Sequence, residues 1–196
     1  LWATIGIHPH DLENDFDEDQ FKELGQNKKV VAIGECGLDY FRLKDESLKK
    51  DQKKLFEVQI KLALDLDLPL MLHIRDSYND VLDILKSYPE VRAHAHFFVG
   101  SFDIARQFFD RGYTVSFTGV ITFTHDYDEV VKSSPLDMIM AETDAPYVAP
   151  NPYRGKRNQS SYVEEVFNQI ALIKKEDPEI IREALVENAY RVFKLM

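Results

Sequence analysis

Short apolar runs alternate along the chain with stretches whose apolar residues recur at helical spacing. Six runs read as strands: Ala3–Ile7, Val30–Gly34, Leu70–Ile74, Ala93–Phe97, Tyr113–Phe117 and Met138–Ala141. They are short, apolar and often β-branched, as parallel strands covered on both faces should be. Helix starts are legible between them. Ser77 precedes Val81, Leu82, Ile84 and Leu85 and has Asp80 three residues on, a capping-box pattern. Ser101 opens a helix carrying Phe102, Ile104, Ala105, Phe108 and Phe109, and Gly112 closes it. The longest helix is expected from about Ser47 to Asp67, with Leu48, Leu55, Phe56, Gln59, Leu62, Ala63 and Leu66 on one stripe. Ser161 with Glu164 caps another, and Asp177-Pro178 starts the last, with Pro178 at the first helical position where a missing N–H costs nothing.

Strand and helix repeated in this order predict a parallel sheet with crossover helices. The two large options are a doubly wound open sheet and a (βα)8 barrel. Neither a GxGxxG nor a GxxxxGK[ST] segment occurs, which removes the usual reason to favour a nucleotide-binding open sheet. Six strands fall about two βα units short of a closed barrel. The chain also starts at Leu1, inside a strand and without an initiating Met, so an upstream segment is expected. No linker or composition break divides it, and residues 1–196 read as a single domain.

Composition narrows the function classes. The 196 residues are 44% hydrophobic, enough for a sizeable core, and the charged residues are spread along the chain. A formal charge of −10 repels polyanions at long range, which argues against a protein that coats DNA or docks on anionic lipid. Contact with nucleic acid has to be local, through a few basic side chains or a metal. Cys36 is the one cysteine; no internal disulfide is possible, which fits a reducing cytosol. No run reaches the roughly 20 apolar residues of a membrane span.

The candidate chemistry lies at the strand ends. Three predicted strands run into Glu35, His73 and His96; a fourth leads through Glu142 and Thr143 to Asp144; the first is followed by His8-Pro9-His10. The C-terminal strand ends of a βα barrel converge on one mouth. Two histidines with two carboxylates there suit Zn²⁺, Mn²⁺, Fe²⁺ or Ni²⁺ better than Ca²⁺. Each residue alone has a plainer reading, a hydrogen-bonded strand-end histidine or a carboxylate capping the next helix. The coincidence across separate strands favours the ligand set. His94 reads as a buried, hydrogen-bonded histidine, and His125 as part of a loop or short helix start. After the last strand, Arg154, Lys156 and Arg157 make a local positive spot, with Gly155 between them. Either it is a solvated loop or it binds phosphate, for which guanidinium and ammonium groups are suited.

Several segments together resemble one family. Gly-Ile-His-Pro-His, Ile-Gly-Glu-Cys-Gly-Leu-Asp-Tyr, Leu-His-Ile-Arg-Asp, His-Phe-Phe-Val-Gly-Ser, Glu-Thr-Asp-Ala-Pro-Tyr-Val-Ala-Pro, Arg-Gly-Lys-Arg-Asn and Glu-Asn-Ala-Tyr-Arg-Val-Phe occur in the order found in the TatD family. The resemblance implies an α/β, TIM-type (βα)8 barrel of the amidohydrolase superfamily, with about the first two βα units absent from this chain. It implies a metal-dependent hydrolase using one or two divalent ions (Zn²⁺, Mg²⁺ or Mn²⁺), and a 3′–5′ exodeoxyribonuclease in particular. Glu35 would bridge two metals, His73 and His96 would complete the protein ligands of the second, and Asp144 would serve the first and assist the attacking water. His8, His10, Arg75, Arg154, Lys156 and Arg157 would hold substrate phosphate. The expected partner is DNA, preferably single-stranded or with frayed ends, with no membrane and no obligate protein partner; the expected location is the cytoplasm, or the nucleus in a eukaryote.

Two departures stand beside the likeness. The family's leading His-x-His strand does not precede Leu1. His-Phe-Phe-Val-Gly-Ser replaces the commoner His-Cys-Phe-Ser-Gly, and Gln159-Ser160 a usual Glu-Pro. Two rival functions remain at this point: a same-superfamily hydrolase of a small ester, amide or phosphate ester, and a truncated scaffold that binds no metal.

Overall fold

All six apolar runs form strands: β1 (Ala3–Ile5), β2 (Val30–Asp39), β3 (Leu70–Arg75), β4 (Ala93–Ala95), β5 (Thr114–Phe117) and β6 (Ile139–Ala141). Between and after them run α1 (Glu18–Gly25), α2 (Glu46–Asp65), α3 (Tyr78–Leu85), α4 (Phe102–Phe109), α5 (Asp128–Ser133), α6 (Val163–Lys174) and α7 (Pro178–Phe193). The structure, a computed structural model, describes residues 1–14, 16–43 and 45–195. These form two units, Leu1–His96 with Val192–Leu195, and Phe97–Arg191. No helix among the described residues is long and apolar enough to cross a membrane.

In the first unit β1, β2, β3 and β4 pair in sequence order, all parallel. Crossover helices make this possible: α2 packs on β2, α1 on β1 and α2, and α3 on β3. Ala32, Ile33, Leu38, Leu70 and Leu72 of the strands meet Phe56, Ile60, Val81 and Leu85 of the helices in a fully buried core. Each large side chain there contributes about 1.5–3 kcal/mol by leaving water.

Strand β2 is twice the expected length and carries Glu35 in its middle, not at its end. Between the pairs Ile33↔Leu70 and Cys36↔Leu72, three steps along β2 face two along β3, so β2 holds one extra residue. Such bulges re-aim side chains. Gly34 and Gly37 interrupt the apolar run and hid its continuation. Gly37 is required: a Cβ there would lie 2.2 Å from the carbonyl oxygen of His73 on β3.

Beyond Ile33, β2 has no β1 partner, and α2 supplies one instead. Gln52 accepts from the Asp39 backbone N–H (2.9 Å) and donates to the Asp39 carbonyl (3.0 Å). Seven residues on, and so on the same helix face, Gln59 does the same for Ile7 (2.7 and 3.0 Å). Both amides are buried. Leu48, expected on the helix's apolar stripe, is exposed instead, while Gln52 and Ile60, which were not expected there, are buried.

In the second unit β5 and β6 are parallel, with Val115↔Ile139 and Phe117↔Ala141 in register. Helix α4 packs on β5, α5 on α4 and α6, and α6 on β6. Phe98, Phe108, Val115, Phe117, Val131, Ile139, Val166 and Ile170 form its core. Ser101 caps α4 by accepting from Ile104 N–H (3.4 Å), and Pro178 opens α7.

The other two expected serine caps do not form. Ser77 precedes α3, but its hydroxyl donates to the Leu38 carbonyl (2.6 Å), a long-range tie that outcompetes the local cap. Ser161 lies in a 3-10 turn (Ser160–Tyr162) and accepts from Gln159, so α6 starts after it without a side-chain cap. Helix α1, whose N-cap Asp17 accepts from Gln20 N–H (3.1 Å), had no expectation attached to it; none of its residues is buried.

Candidate metal centre

In β3 the burial pattern alternates, so Leu70, Leu72 and Ile74 face the core while His73 and Arg75 share the other face. In β2 Glu35, Gly37 and Asp39 likewise share a face, and Gly37 pairs with His73. His96 follows β4 and continues its ladder by donating its N–H to the Leu72 carbonyl (3.1 Å). His8 lies three residues beyond β1, its approach fixed by the Gln59 clamp on Ile7.

These side chains converge on Glu35. Its Oε1 is 3.0 Å from Nε2 of His96; its Oε2 is 3.6 Å from Nε2 of His8 and 3.7 Å from Nδ1 of His73. One ligand atom each from His8, Glu35 and His73 lies within 4.8 Å of the other two. The His8 and His73 rings meet edge to face at 4.3 Å, and His73 and His96 lie 5.7 Å apart. His96 is nearly buried (8% exposed), whereas the Glu35 side chain keeps 38% of its surface and opens the cluster to solvent.

Asp39, to which sequence reasoning gave no role, lies behind the cluster. Its Oδ2 is 2.9 Å from Nε2 of His73 and 3.0 Å from Nε2 of His10, and its Oδ1 accepts from Phe41 N–H (2.9 Å). The available signal was its spacing four residues from Glu35, which puts both on one strand face; ending β2 at Gly34 concealed it. Burial opposes the charge on Asp39, but the hydrogen bonds from His73 and Phe41 outweigh it and hold the carboxyl below its ordinary range. Burial lowers His73, only partly offset by its bond to Asp39. Burial, and then the neighbouring His73, lower His8 as well.

The lowered pKa values of His8 and His73 leave these two imidazoles neutral at neutral pH, beside the half-buried Glu35 side chain. That donor set fits a divalent cation of the Zn²⁺ or Mn²⁺ kind. His8 differs in its proton: its Nδ1 accepts from His10 N–H (3.2 Å), so in the neutral ring Nε2 carries the hydrogen and is a donor. Cys36 is no ligand. It is fully buried, its thiol lies 3.6 Å from the Ile33 carbonyl, and burial pushes its pKa up. His94 is buried, edge to face with Phe193 at 5.6 Å. His125 is exposed and bonds Asp128 (2.9 Å) just before α5.

Arg75 is exposed at the end of β3, its guanidinium 3.6 Å from the Phe41 ring centroid. The remaining expected residues belong to the second unit. Asp144 lies just beyond β6 in a left-handed conformation (φ 55°), and its carbonyl accepts from Tyr147 N–H (2.9 Å). Glu142, beside it, accepts from Phe97 N–H (2.7 Å) and from the Ser116 hydroxyl. Arg154, Lys156 and Arg157 are all exposed, with Arg154 stacked 3.7 Å over Phe123. Buried Asn158 anchors that segment, donating to the carbonyls of Thr143 (2.7 Å) and Tyr147 (2.6 Å).

Parallel βα units that gather histidines around a strand carboxylate make a candidate metal centre. The sequence model of the family described as TatD related DNase matches residues 1–194. The chain is 43% identical over 201 residues to an uncharacterized metal-dependent hydrolase, YabD, of Bacillus subtilis, covering 100% of this chain and 78% of that protein. It is 32% identical over 206 residues to the 3′-5′ ssDNA/RNA exonuclease TatD of Yersinia pseudotuberculosis, covering 100% and 78%. The crystal structure of YJJV, a TatD homolog from Escherichia coli K12, superimposes with a TM-score of 0.90 at 31% identity, over 100% of this chain and 77% of that one. The chain belongs to the TatD family of metal-dependent hydrolases, and its fold is the family's α/β, TIM-type barrel fold.

Proposed function

We propose that this protein hydrolyses phosphodiester bonds of DNA, as a 3′–5′ exodeoxyribonuclease acting on single strands or frayed ends. The observation that supports it best is the cluster itself: Glu35 reached by His96 at 3.0 Å and by His8 and His73 at 3.6 and 3.7 Å. Glu35, His73 and His96 are the residues that would hold a divalent ion, with Asp144 assigned to a second on its Glu142-Thr143-Asp144-Ala145-Pro146 motif. Bound there, Zn²⁺, Mg²⁺ or Mn²⁺ supplies Lewis acidity, lowering the pKa of water and offsetting charge on phosphoryl oxygens.

The chain's own groups divide the remaining work. Asp144 is the base that takes the proton of the attacking water. His8, with its hydrogen on Nε2, donates to a phosphate oxygen, and His10 beside it adds a second imidazole. Arg75, Arg154, Lys156 and Arg157 supply cations in a chain that is otherwise strongly acidic, and guanidinium groups bind phosphate through paired N–H donors.

The test is digestion of 5′-labelled single-stranded DNA with each of the three ions, beside bis(p-nitrophenyl) phosphate, a simple carboxylic ester and an amide. The expected result is a ladder shortening from the 3′ end, lost in Glu35→Ala. No digestion with any ion, or a Glu35→Ala protein as active as wild type, refutes the proposal. Turnover of the ester or amide alone would assign the site to the smaller substrates.

A further inference from the structure

Asp39 is 1% exposed, and both of its oxygens are engaged. Oδ1 accepts from the Phe41 backbone N–H at 2.9 Å, which fixes how the carboxylate is turned. Oδ2 then faces two imidazole nitrogens, Nε2 of His73 at 2.9 Å and Nε2 of His10 at 3.0 Å. An ionised carboxylate only accepts hydrogen bonds, so the proton of neutral His73 resides on Nε2. The lone pair is left on Nδ1, the atom 3.7 Å from Glu35 Oε2.

We infer that Asp39 is the positioning residue of this centre: it fixes His73 in its Nε2–H form and so presents a bare Nδ1 to a cation at Glu35. The inference rests on the proposed metal site. A ligand histidine whose far nitrogen is held by a carboxylate has a set ring orientation and raised basicity, and loss of such a partner lowers metal affinity about 10- to 100-fold.

The geometry makes Asp39→Asn more informative than a deletion. Phe41 N–H claims the amide oxygen, which turns the NH₂ toward His73 and His10. A donor there requires a lone pair on His73 Nε2, so the proton moves to Nδ1 and points at Glu35. The isosteric variant is therefore expected to bind metal no better than Asp39→Ala, whereas a merely structural carboxylate would be replaced well by the amide.

The experiment uses the whole chain, stripped of metal and labelled with ¹⁵N-histidine. Two-bond ¹H–¹⁵N correlation spectra at pH 8, with His73 assigned by comparison with His73→Gln, read the tautomer directly. Zn²⁺ alone is then titrated against a competing chelator. Wild type is expected to show His73 protonated on Nε2; Asp39→Asn is expected to show it on Nδ1 and to bind Zn²⁺ about 10- to 100-fold more weakly. A wild-type His73 protonated on Nδ1 overturns the inference, and this needs no variant to fold. Asp39→Asn with undiminished Zn²⁺ affinity overturns it too. Failure of the metal-site reading shows separately, as a Zn²⁺ affinity that Glu35→Gln leaves unchanged, while the His73 tautomer in the metal-free protein still decides the part played by Asp39.

Discussion

Replacing Gln52 by Leu tests whether a helix side chain completes the sheet behind the candidate metal centre. The substitution keeps the volume and removes both hydrogen bonds to the Asp39 backbone, at 2.9 and 3.0 Å. Gln52 and Asp39 are each 1% exposed, so water cannot take over. An unmet buried donor or acceptor costs about 1–3 kcal/mol, and two are created. Part of that is offset because Leu is cheaper to bury than an amide, which leaves an expected loss of roughly 2–4 kcal/mol. Urea unfolding of the metal-free protein measures it: the midpoint should fall with the slope unchanged. Gln52→Glu makes a graded control, since a carboxylate still accepts from Asp39 N–H but sets a second acceptor against its carbonyl. Gln52→Leu unfolding within about 0.5 kcal/mol of wild type, the range of an ordinary surface change, would refute the claim that α2 substitutes for a strand.

Gly37→Ala, which would bring a Cβ to 2.2 Å from the His73 carbonyl, is expected to lower both stability and Zn²⁺ affinity, because one of the two strands has to move; unchanged values in unfolding and titration would contradict it. Acidification should weaken the metal-free fold. His8 and His73 have pKa values held below that of a free imidazole, so the stability they leave intact above about pH 6.5 is lost as the pH falls through their lowered values; His73→Gln should flatten the dependence of the urea midpoint between pH 7.5 and 5, and equal slopes would sink the assignment. Exchanging Arg154, Lys156 and Arg157 together for Ala should raise the KM for single-stranded DNA and cut the slope of log affinity against log salt by up to about 2, leaving turnover of bis(p-nitrophenyl) phosphate unchanged; an unaltered salt slope would show that the segment does not touch phosphate.

The sequence disclosed strands better than it disclosed their ends. Apolar β-branched runs mark parallel strands wherever they are uninterrupted, and all six lie where the pattern puts them, although β1 is not buried as expected. Gly34 and Gly37 broke the run in β2 because the sheet there needs backbone without side chains, so a site strand looked like a strand followed by a loop. Asp39 was lost with it. Glu35, His73 and His96 were legible because each interrupts or ends a hydrophobic run with a ligand type. Gln52 was not, since a buried amide looks in sequence like any polar helix residue until its backbone partner is known; Gln59 was legible as a stripe residue, but its bond to Ile7 was not. The serine caps of α3 and α6 failed for a related reason: Ser77 has a distant carbonyl available that local spacing cannot reveal.

The segment from Val148 to Arg157 is closed at its base by Asn158, whose amide spans the carbonyls of Thr143 and Tyr147 while its N–H reaches that of Pro146. Partway along, Asn151 is moored to Thr122 through its N–H (2.8 Å) and its side chain (2.9 Å). The turn bearing Asp144 and the cationic arch thus share one fastening, and the arch behaves as a cassette. Its exposed positions can be rewritten, in nature or by an engineer, without disturbing the aspartate, provided Asn158 stays.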